Sequence, residues 1–361
     1  MTVRSPAHGC LTDVPGVRLG HAHRVGRGWR TGCTVVLTLD GATAGCDVRG
    51  GGPGTRETDL LRAEATIDKI HAVCLTGGSA YGLAAAGGVM QWLEQRGTGF
   101  RVGPEAHQIV PLVPAAVIFD LGRGGQFSNR PDAAFGYRAA RGARAKAMPI
   151  GAVGAGTGAV AGGLQGGVGT ASRTLPDGTV VAALAVVNSA GKVIDPAEGL
   201  PWMPAHIGLR RPNAADRAAL NSYLESMPAP TVASSSPQPP LSPLPPLNTT
   251  IGVVATSARL TKAECNKFAA VAHDGLARAV RPVHSMFDGD TIFGLATGVS
   301  ELTLPELPGF LADRRRAVAL NAVLEAGAEC FAMACSSAIV DASSNGGALS
   351  YRDLCPSAFN G

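Results

Sequence analysis

The feature that most constrains this chain is a break in character at residues 228–246, "PAPTVASSSPQPPLSPLPP", which is rich in Pro and Ser and carries no charge. Such a segment cannot bury enough apolar surface to order itself. Through Leu247 alone it runs into Asn248-Thr249-Thr250 and then "TTIGVVATSA", an apolar, β-branched run that reads as a buried strand over 249–258. Beyond it come a helix from Lys262 behind a Thr261/Glu264 capping box, a strand "TIFGLATG" from Thr291 and a long apolar helix over 314–340. These few elements are too apolar to stand alone. The tether therefore interrupts one core spanning 1–361 and does not join two domains.

Upstream, "CTVVLTL" from Cys33, "IHAVCLTGG" from Ile70, "AAVIFDL" from Ala115 and "TVVAALAVVN" from Thr179 read as strands. "SAYGLAAAGGVMQWLEQRG" reads as a helix ending at Gly97, and "DAAFGYRAARGAR" as another. Hydrophobic residues make up 45% and charged residues 16%, which excludes global disorder. The net charge of +4 is small, and the basic stretches Arg138–Lys146 and Arg314–Arg316 lack neighbouring aromatics. They read as solvated helix faces, so no nucleic-acid partner is expected. The apolar run "VVAALAVV" from Val180 is far shorter than the roughly 20 residues of a membrane helix, and no membrane partner is expected. Eight cysteines show no CxxC pair, and the opening "MTVRSPAHGCLTDVPG" is not expected to act as a secretory signal. Reduced thiols in a cytoplasmic protein, without metal or cofactor, are the expectation.

The odd junction has a chemical reading. A threonine hydroxyl is a weak nucleophile without a base beside it. Were the Asn248–Thr249 bond broken, Thr249 would gain an α-amino group of pKa about 7.7–8.0, against about 10.4 for lysine. Near neutrality part of that amine is already unprotonated, so one residue supplies both nucleophile and base. The same hydroxyl can make the cut, attacking the Asn248 carbonyl to give an ester that water hydrolyses. Two plainer readings of Asn248-Thr249-Thr250 are a glycosylation sequon and a β-branched strand opening.

A second constellation bears on the choice. "HSMFDGDTIFGLATG" sets Asp288 and Asp290 around Gly289 just before a strand, and alternate residues of an extended segment share a face. Two such acids can orient a hydroxyl and bind an ammonium; the plain alternative is a polar turn. "GAGTGA" over 154–159 fits the dinucleotide pattern, but five more glycines come after it where a helix would be needed. A glycine-rich wall beside a site fits better. "GGSAYGL" lacks the second glycine of a nucleophile elbow. Ser79 reads as a helix N-cap, whose neighbouring amides are candidates for holding an oxyanion.

In order along the chain, "LTDVPGVRLGHA", "DVRGGGPGTRETDLL", "CLTGGSAYGL", "VPAAVIFDL", "GAGTGA", "GGVGTAS", "AVVN", "NTTIGVVAT" and "FDGDTIFGLATG" resemble the DmpA-like family of L-aminopeptidase/D-esterases. That family includes β-peptidyl aminopeptidases and nylon-oligomer hydrolases. The resemblance implies an α+β fold, a four-layer αββα sandwich, and a precursor cut into an α chain 1–248 and a β chain 249–361. It implies Thr249 as N-terminal nucleophile, Asn188 supporting the oxyanion, and Asp288 and Asp290 beside the nucleophile. It further implies a homo-oligomer, often a tetramer, and a small peptide, amide or ester substrate with a free amino terminus bound by a carboxylate. Gln165 stands where many relatives have a lysine, and Phe119 where some have a tyrosine. A self-cleaving acyltransferase of the ornithine acetyltransferase type is the alternative within the same chemistry.

Overall fold

The computed structural model describes residues 9–203, 208–226 and 247–359, so the tether lies outside the described residues. Eight strands carry the architecture: β1 (Val17–Gly26), β2 (Trp29–Val48), β3 (Lys69–Thr76), β4 (Ala115–Val117), β5 (Gly167–Thr174), β6 (Val180–Asn188), β7 (Thr249–Ala258) and β8 (Thr291–Ser300). Four helices pack on them: α1 (Ala85–Glu94), α2 (Ala133–Gly142), α3 (Lys262–Ala279) and α4 (Arg315–Val340).

The strands form two sheets joined through β2. Its first half pairs with β1 and β3, with β4 beyond; its second half pairs with β8, then β7, β6 and β5 in turn. The crossover falls where the β2–β3 register shifts between Leu37 and Ala42. Gly41 sits there at φ 75, a left-handed conformation that glycine adopts without steric cost. Side chains alternate across each strand, and three core layers result. Leu19, Val36, Val73, Leu184, Ile251, Val253 and Phe293 fill the space between the sheets. Val181, Ala183, Val254, Phe268, Leu276 and Phe331 lie between the second sheet and α3/α4. Val35, Cys74, Val89, Leu93 and Phe135 lie between the first sheet and α1/α2. The order is thus helices, sheet, sheet, helices: the αββα sandwich expected from the family resemblance.

Local sequence explains the elements. α3 opens on the expected capping box, Thr261 Oγ1 accepting from Glu264 N and Glu264 Oε2 from Thr261 N. It buries Cys265, Phe268, Ala269, Ala272 and Leu276, one face at helical spacing. Phe268 and Phe331, fully buried, each contribute about 2–3 kcal/mol of apolar burial. By length and composition the helical stretch Gly309–Val340 would cross a membrane, yet 83% of its most apolar window is buried inside the fold. α3 also serves as the crossover between β7 and β8, which pair in parallel.

Two elements differ from their sequence reading. The helix expected over 79–97 is split into a turn at Ser79–Gly82 and α1, with Gly97 closing it at φ 65. The strand expected over 115–121 stops at Val117. After Ile118 the chain leaves the ladder, because the Phe119 carbonyl accepts from Asn188 and the Asp120 carboxylate from Gly78 N.

Candidate active site

Thr249 is the first residue of β7, a strand flanked on both sides within the second sheet. On one side Asn188, the last residue of β6, is its antiparallel partner. On the other, Asn248 forms a parallel bridge with Asp288, and Asn248 N donates to Phe287 O at 3.1 Å. Thr249 is 5% exposed, and its hydroxyl donates a short hydrogen bond to the carbonyl of Asn248. The junction's oxygen and the carbonyl it would attack are therefore already in contact.

Asn188 is fully buried, and its orientation is determined by its neighbours. Oδ1 accepts from Val160 N at 3.0 Å and from Arg123 Nη1 at 2.9 Å, while Nδ2 donates to the Phe119 carbonyl at 3.2 Å. A side-chain amide carries two N–H groups, and the Phe119 carbonyl takes one of them. The Val160 contact makes the glycine-rich stretch after "GAGTGA" a wall of the site. That motif leads into the hairpin Val160–Ala161/Leu164–Gln165 and not into a helix, so a dinucleotide has no helix terminus to meet there.

The two aspartates flank the junction but engage different partners. Asp290 Oδ1 accepts from Thr250 N at 2.7 Å, and Oδ2 from His284 N at 3.2 Å with His284 Nδ1 at 2.8 Å. Asp288 Oδ2 accepts from Ser285 N at 2.9 Å and Ser285 Oγ at 2.5 Å; its Oδ1 is buried with no hydrogen bond among the described residues. Burial pushes the Asp290 carboxyl above its ordinary range and the negative charge of Asp288 adds to this, against hydrogen bonds from His284 and Thr250 that favour the charged form. Gly289 between them is required by packing, since a Cβ there would lie 2.5 Å from the Gly52 carbonyl.

Three side chains here escaped the sequence reading. Arg123, in the loop after β4, donates from Nη1 to Asn188 and from Nη2 to Leu247 O at 2.7 Å and Asn248 Oδ1 at 3.1 Å. Its one sequence signal is an isolated arginine among glycines, "LGRGG". Burial lowers its pKa to about 10, with Asp120 opposing, so it is charged at neutral pH. Arg30 Nη1 donates to the Arg123 carbonyl at 2.8 Å and Nη2 to Gln165 Oε1 at 2.5 Å. Gln165, the position where the family resemblance implies a lysine, thus accepts from a buried arginine. His284, the third, touches Asp290 and stacks edge-on against buried His273 with ring centroids 4.8 Å apart.

Ser79 behaves differently from expectation. It sits at φ 51, its side chain caps no helix, and its amide donates to Ile118 O. The preceding amide, Gly78 N, is taken by Asp120 Oδ1 at 2.7 Å. An internal carboxylate thus takes one of the amides considered for an anion, and the Ile118 carbonyl takes the next. Among the described residues no group of three or more His, Cys, Asp or Glu is arranged to hold a metal ion.

A buried polar cluster built on a strand-initial threonine within an αββα sandwich defines a class: hydrolases of the DmpA-like fold. Comparison with known proteins narrows this. Residues 9–351 match the model of peptidase family S58, and the chain belongs to that family. It is a hydrolase of peptide or amide bonds. It is 46% identical over 360 residues to an uncharacterised aminopeptidase of Mycobacterium tuberculosis strain H37Rv, covering 97% of this chain and 98% of that one. It is 34% identical over 326 residues to a 6-aminohexanoate-oligomer endohydrolase of Kocuria sp., covering 86% and 81%. The fold is similar to that of a Burkholderia sp. beta-aminopeptidase (TM-score 0.67, 21% identity, covering 99% and 96%). It is also similar to the L-aminopeptidase D-Ala-esterase/amidase of Ochrobactrum anthropi, described as a variant of the Ntn hydrolase fold (TM-score 0.65, 18% identity, covering 95% and 88%).

Proposed function

We propose that the chain is a precursor that cuts itself between Asn248 and Thr249 and then hydrolyses small peptide, amide or ester substrates through an acyl-threonine intermediate. The observation that carries this reading is the hydrogen bond from the Thr249 hydroxyl to the Asn248 carbonyl, at the first position of a strand clamped on both sides. In the cut, Oγ1 adds to that carbonyl, the C–N bond breaks, and the nitrogen takes a proton to become the α-amine of Thr249. Water then hydrolyses the Asn248 ester. In turnover the freed amine takes the Thr249 hydroxyl proton as the oxygen attacks the substrate, and passes it to the leaving nitrogen. The second N–H of Asn188 is suited to the developing oxyanion. The unpaired Oδ1 of Asp288 is suited to the new ammonium, and Asp290 fixes Thr250 and hence the start of the strand.

Denaturing electrophoresis with N-terminal sequencing tests the reading. Wild-type protein should give two bands, one beginning Thr249-Thr250-Ile251. Thr249→Ala should give one intact band and no hydrolysis, and Thr249→Ser should retain cutting. Intact, active wild-type protein would overturn it. The eight free cysteines fit a cytoplasmic setting, and the family resemblance supports a homo-oligomer, which light scattering on the cut protein tests.

A further inference from the structure

Arg123 reaches both sides of the junction from one fixed point. Its own carbonyl accepts from Arg30 Nη1, and Arg30 is anchored through Nε to Asn345 Oδ1 at 2.5 Å and through Nη2 to Gln165. Its guanidinium lies over the Phe119 ring, 5.5 Å from the centroid. From there the two prongs part. Nη1 donates to Asn188, the ladder partner of Thr249, while Nη2 donates to the Leu247 carbonyl and the Asn248 side chain. The first contact lies on the nucleophile side of the Asn248–Thr249 bond, the other two on its acyl side.

The two sides differ in what else holds them. Thr249 opens a ladder that runs from Asn188↔Thr249 to Val181↔Thr256, so the sheet sets its position. Leu247 follows the Pro/Ser-rich stretch, belongs to no strand and is 45% exposed. The peptide plane between Leu247 and Asn248 is pinned at its oxygen by Arg123 and at its N–H by the Phe287 carbonyl. Arg123 also holds the Asn248 side chain, a third point of attachment. With these in place the Asn248 carbonyl faces the Thr249 hydroxyl, the contact it makes.

We propose that Arg123 is the positioning residue of the self-cutting step, holding the acyl side of the junction in place against the nucleophile. This rests on the reading of Thr249 as nucleophile and names the side chain that makes the precursor its own substrate. In the step itself Oγ1 bonds to the Asn248 carbonyl carbon, the C–N bond breaks, and the nitrogen keeps the hydroxyl proton. Arg123 exchanges no atom or proton. Its planar fork is suited to the task because one group gathers oxygens from three residues. A misplacement of about 1 Å between reacting atoms costs on the order of a hundredfold in rate, so loosening the acyl side slows the cut even where Thr249 stays in its ladder.

The test follows the cutting rate of the full chain by pulse–chase in cell-free translation, with precursor and fragments resolved by denaturing electrophoresis. Asn248→Ala removes one of the two acyl-side acceptors and should cut on the order of tenfold more slowly, the worth of one hydrogen bond to a charged group. Arg123→Met removes both bonds, keeps an apolar stem against Phe119 and leaves Asn188 Oδ1 its bond from Val160 N. It should cut on the order of a hundredfold more slowly. The double variant should match Arg123→Met within about twofold, because both changes remove the same contact. A role in folding alone would multiply the two effects instead. Urea unfolding of each variant on a Thr249→Ala background reads folding separately. Should Arg123→Met not fold, Arg123→Lys, which keeps the charge and loses the fork, takes its place in the cycle with the same non-additivity expected. A folded Arg123 variant that cuts at the wild-type rate, or a double variant slowed by the product of the single effects, overturns the inference. A wild-type chain that stays in one piece overturns the nucleophile reading, and this inference with it. A wild-type chain that cuts, with Arg123 variants that cut as fast, overturns only the role of Arg123.

Discussion

Replacing Asp290 separates two effects that its environment sets against each other. Its carboxylate accepts from Thr250 N, His284 N and His284 Nδ1. At about 1.5–3 kcal/mol for each hydrogen bond to a charged group, simple counting makes the charge indispensable to stability. The raised pKa argues otherwise: burial penalises the charged form by more than those bonds repay. Asp290→Asn removes the charge and keeps the shape but sets its NH2 against one backbone donor in either orientation, and should cost about 1–3 kcal/mol. Asp290→Ala strands two backbone donors, the buried Thr250 N and the part-buried His284 N, at about 1–3 kcal/mol each at most, and should cost about 3–5 kcal/mol with the cavity included. The assay is urea unfolding of both variants on a Thr249→Ala background, which holds the covalent state constant. The pH dependence has a definite sign. A carboxyl whose folded pKa is raised contributes most below its unfolded value, and that contribution is lost as pH rises through the folded value. The wild-type advantage over Asp290→Asn should thus shrink as pH rises above about 4. An asparagine variant less stable than the alanine variant, or an advantage growing with pH, would refute the reasoning.

His273 has a side chain with no exposure, and its pKa is lowered to about 4 by burial, against a hydrogen bond with the Asp47 carbonyl. Its contribution is complete above pH about 6.5 and is lost as pH falls toward about 4, some 3 kcal/mol at about 1.4 per unit; unfolding free energies across that window should slope accordingly, and His273→Gln should flatten the slope. Gln165→Lys should destabilise this chain by about 2–4 kcal/mol, because an ammonium would replace the acceptor 2.5 Å from Arg30 Nη2. Thermal unfolding checks it, and Arg30→Met in the same chain should recover part of the loss.

The strands and the α3 cap were legible because alternation and capping are local signals; the four-layer order came through the family resemblance. Legible through the same resemblance was the gathering of a strand-initial threonine with Asn188 and two aspartates. Arg123, Arg30 and His284 were not. Arg123 and Arg30 act across large sequence separations, and a lone arginine among glycines is indistinguishable by composition from a solvated loop charge. The Asp-Gly-Asp spacing brings both acids to the junction, but periodicity alone could not reveal that Ser285 and His284 divide them. The early end of β4 has a similar cause: "AAVIFDL" is a good strand by propensity, but Phe119 O and Asp120 are used by Asn188 and Gly78.

A Pro/Ser-rich tether fused to a core strand makes physical sense in this topology. β7 and β8 lie between strands from the other side of the tether: β6 pairs with β7 from Val181↔Thr256 to Asn188↔Thr249, and β2 pairs with β8 from Thr291↔Val48 to Ala296↔Thr43. α3 and α4, also downstream, share one core with Val181, Ala183 and Val187 upstream. Cutting at Thr249 removes one peptide bond and no ladder, so separating the pieces would expose both sheet edges and an apolar layer together. The two fragments should therefore co-elute in native gel filtration and part only at the urea concentration where far-UV ellipticity is lost. Fragments that separate in native buffer would mean that the threonine is not held by ladders on both sides. A terminus free to move away from Asn188 and Asp288 would not bring its nitrogen and oxygen repeatedly to one carbonyl.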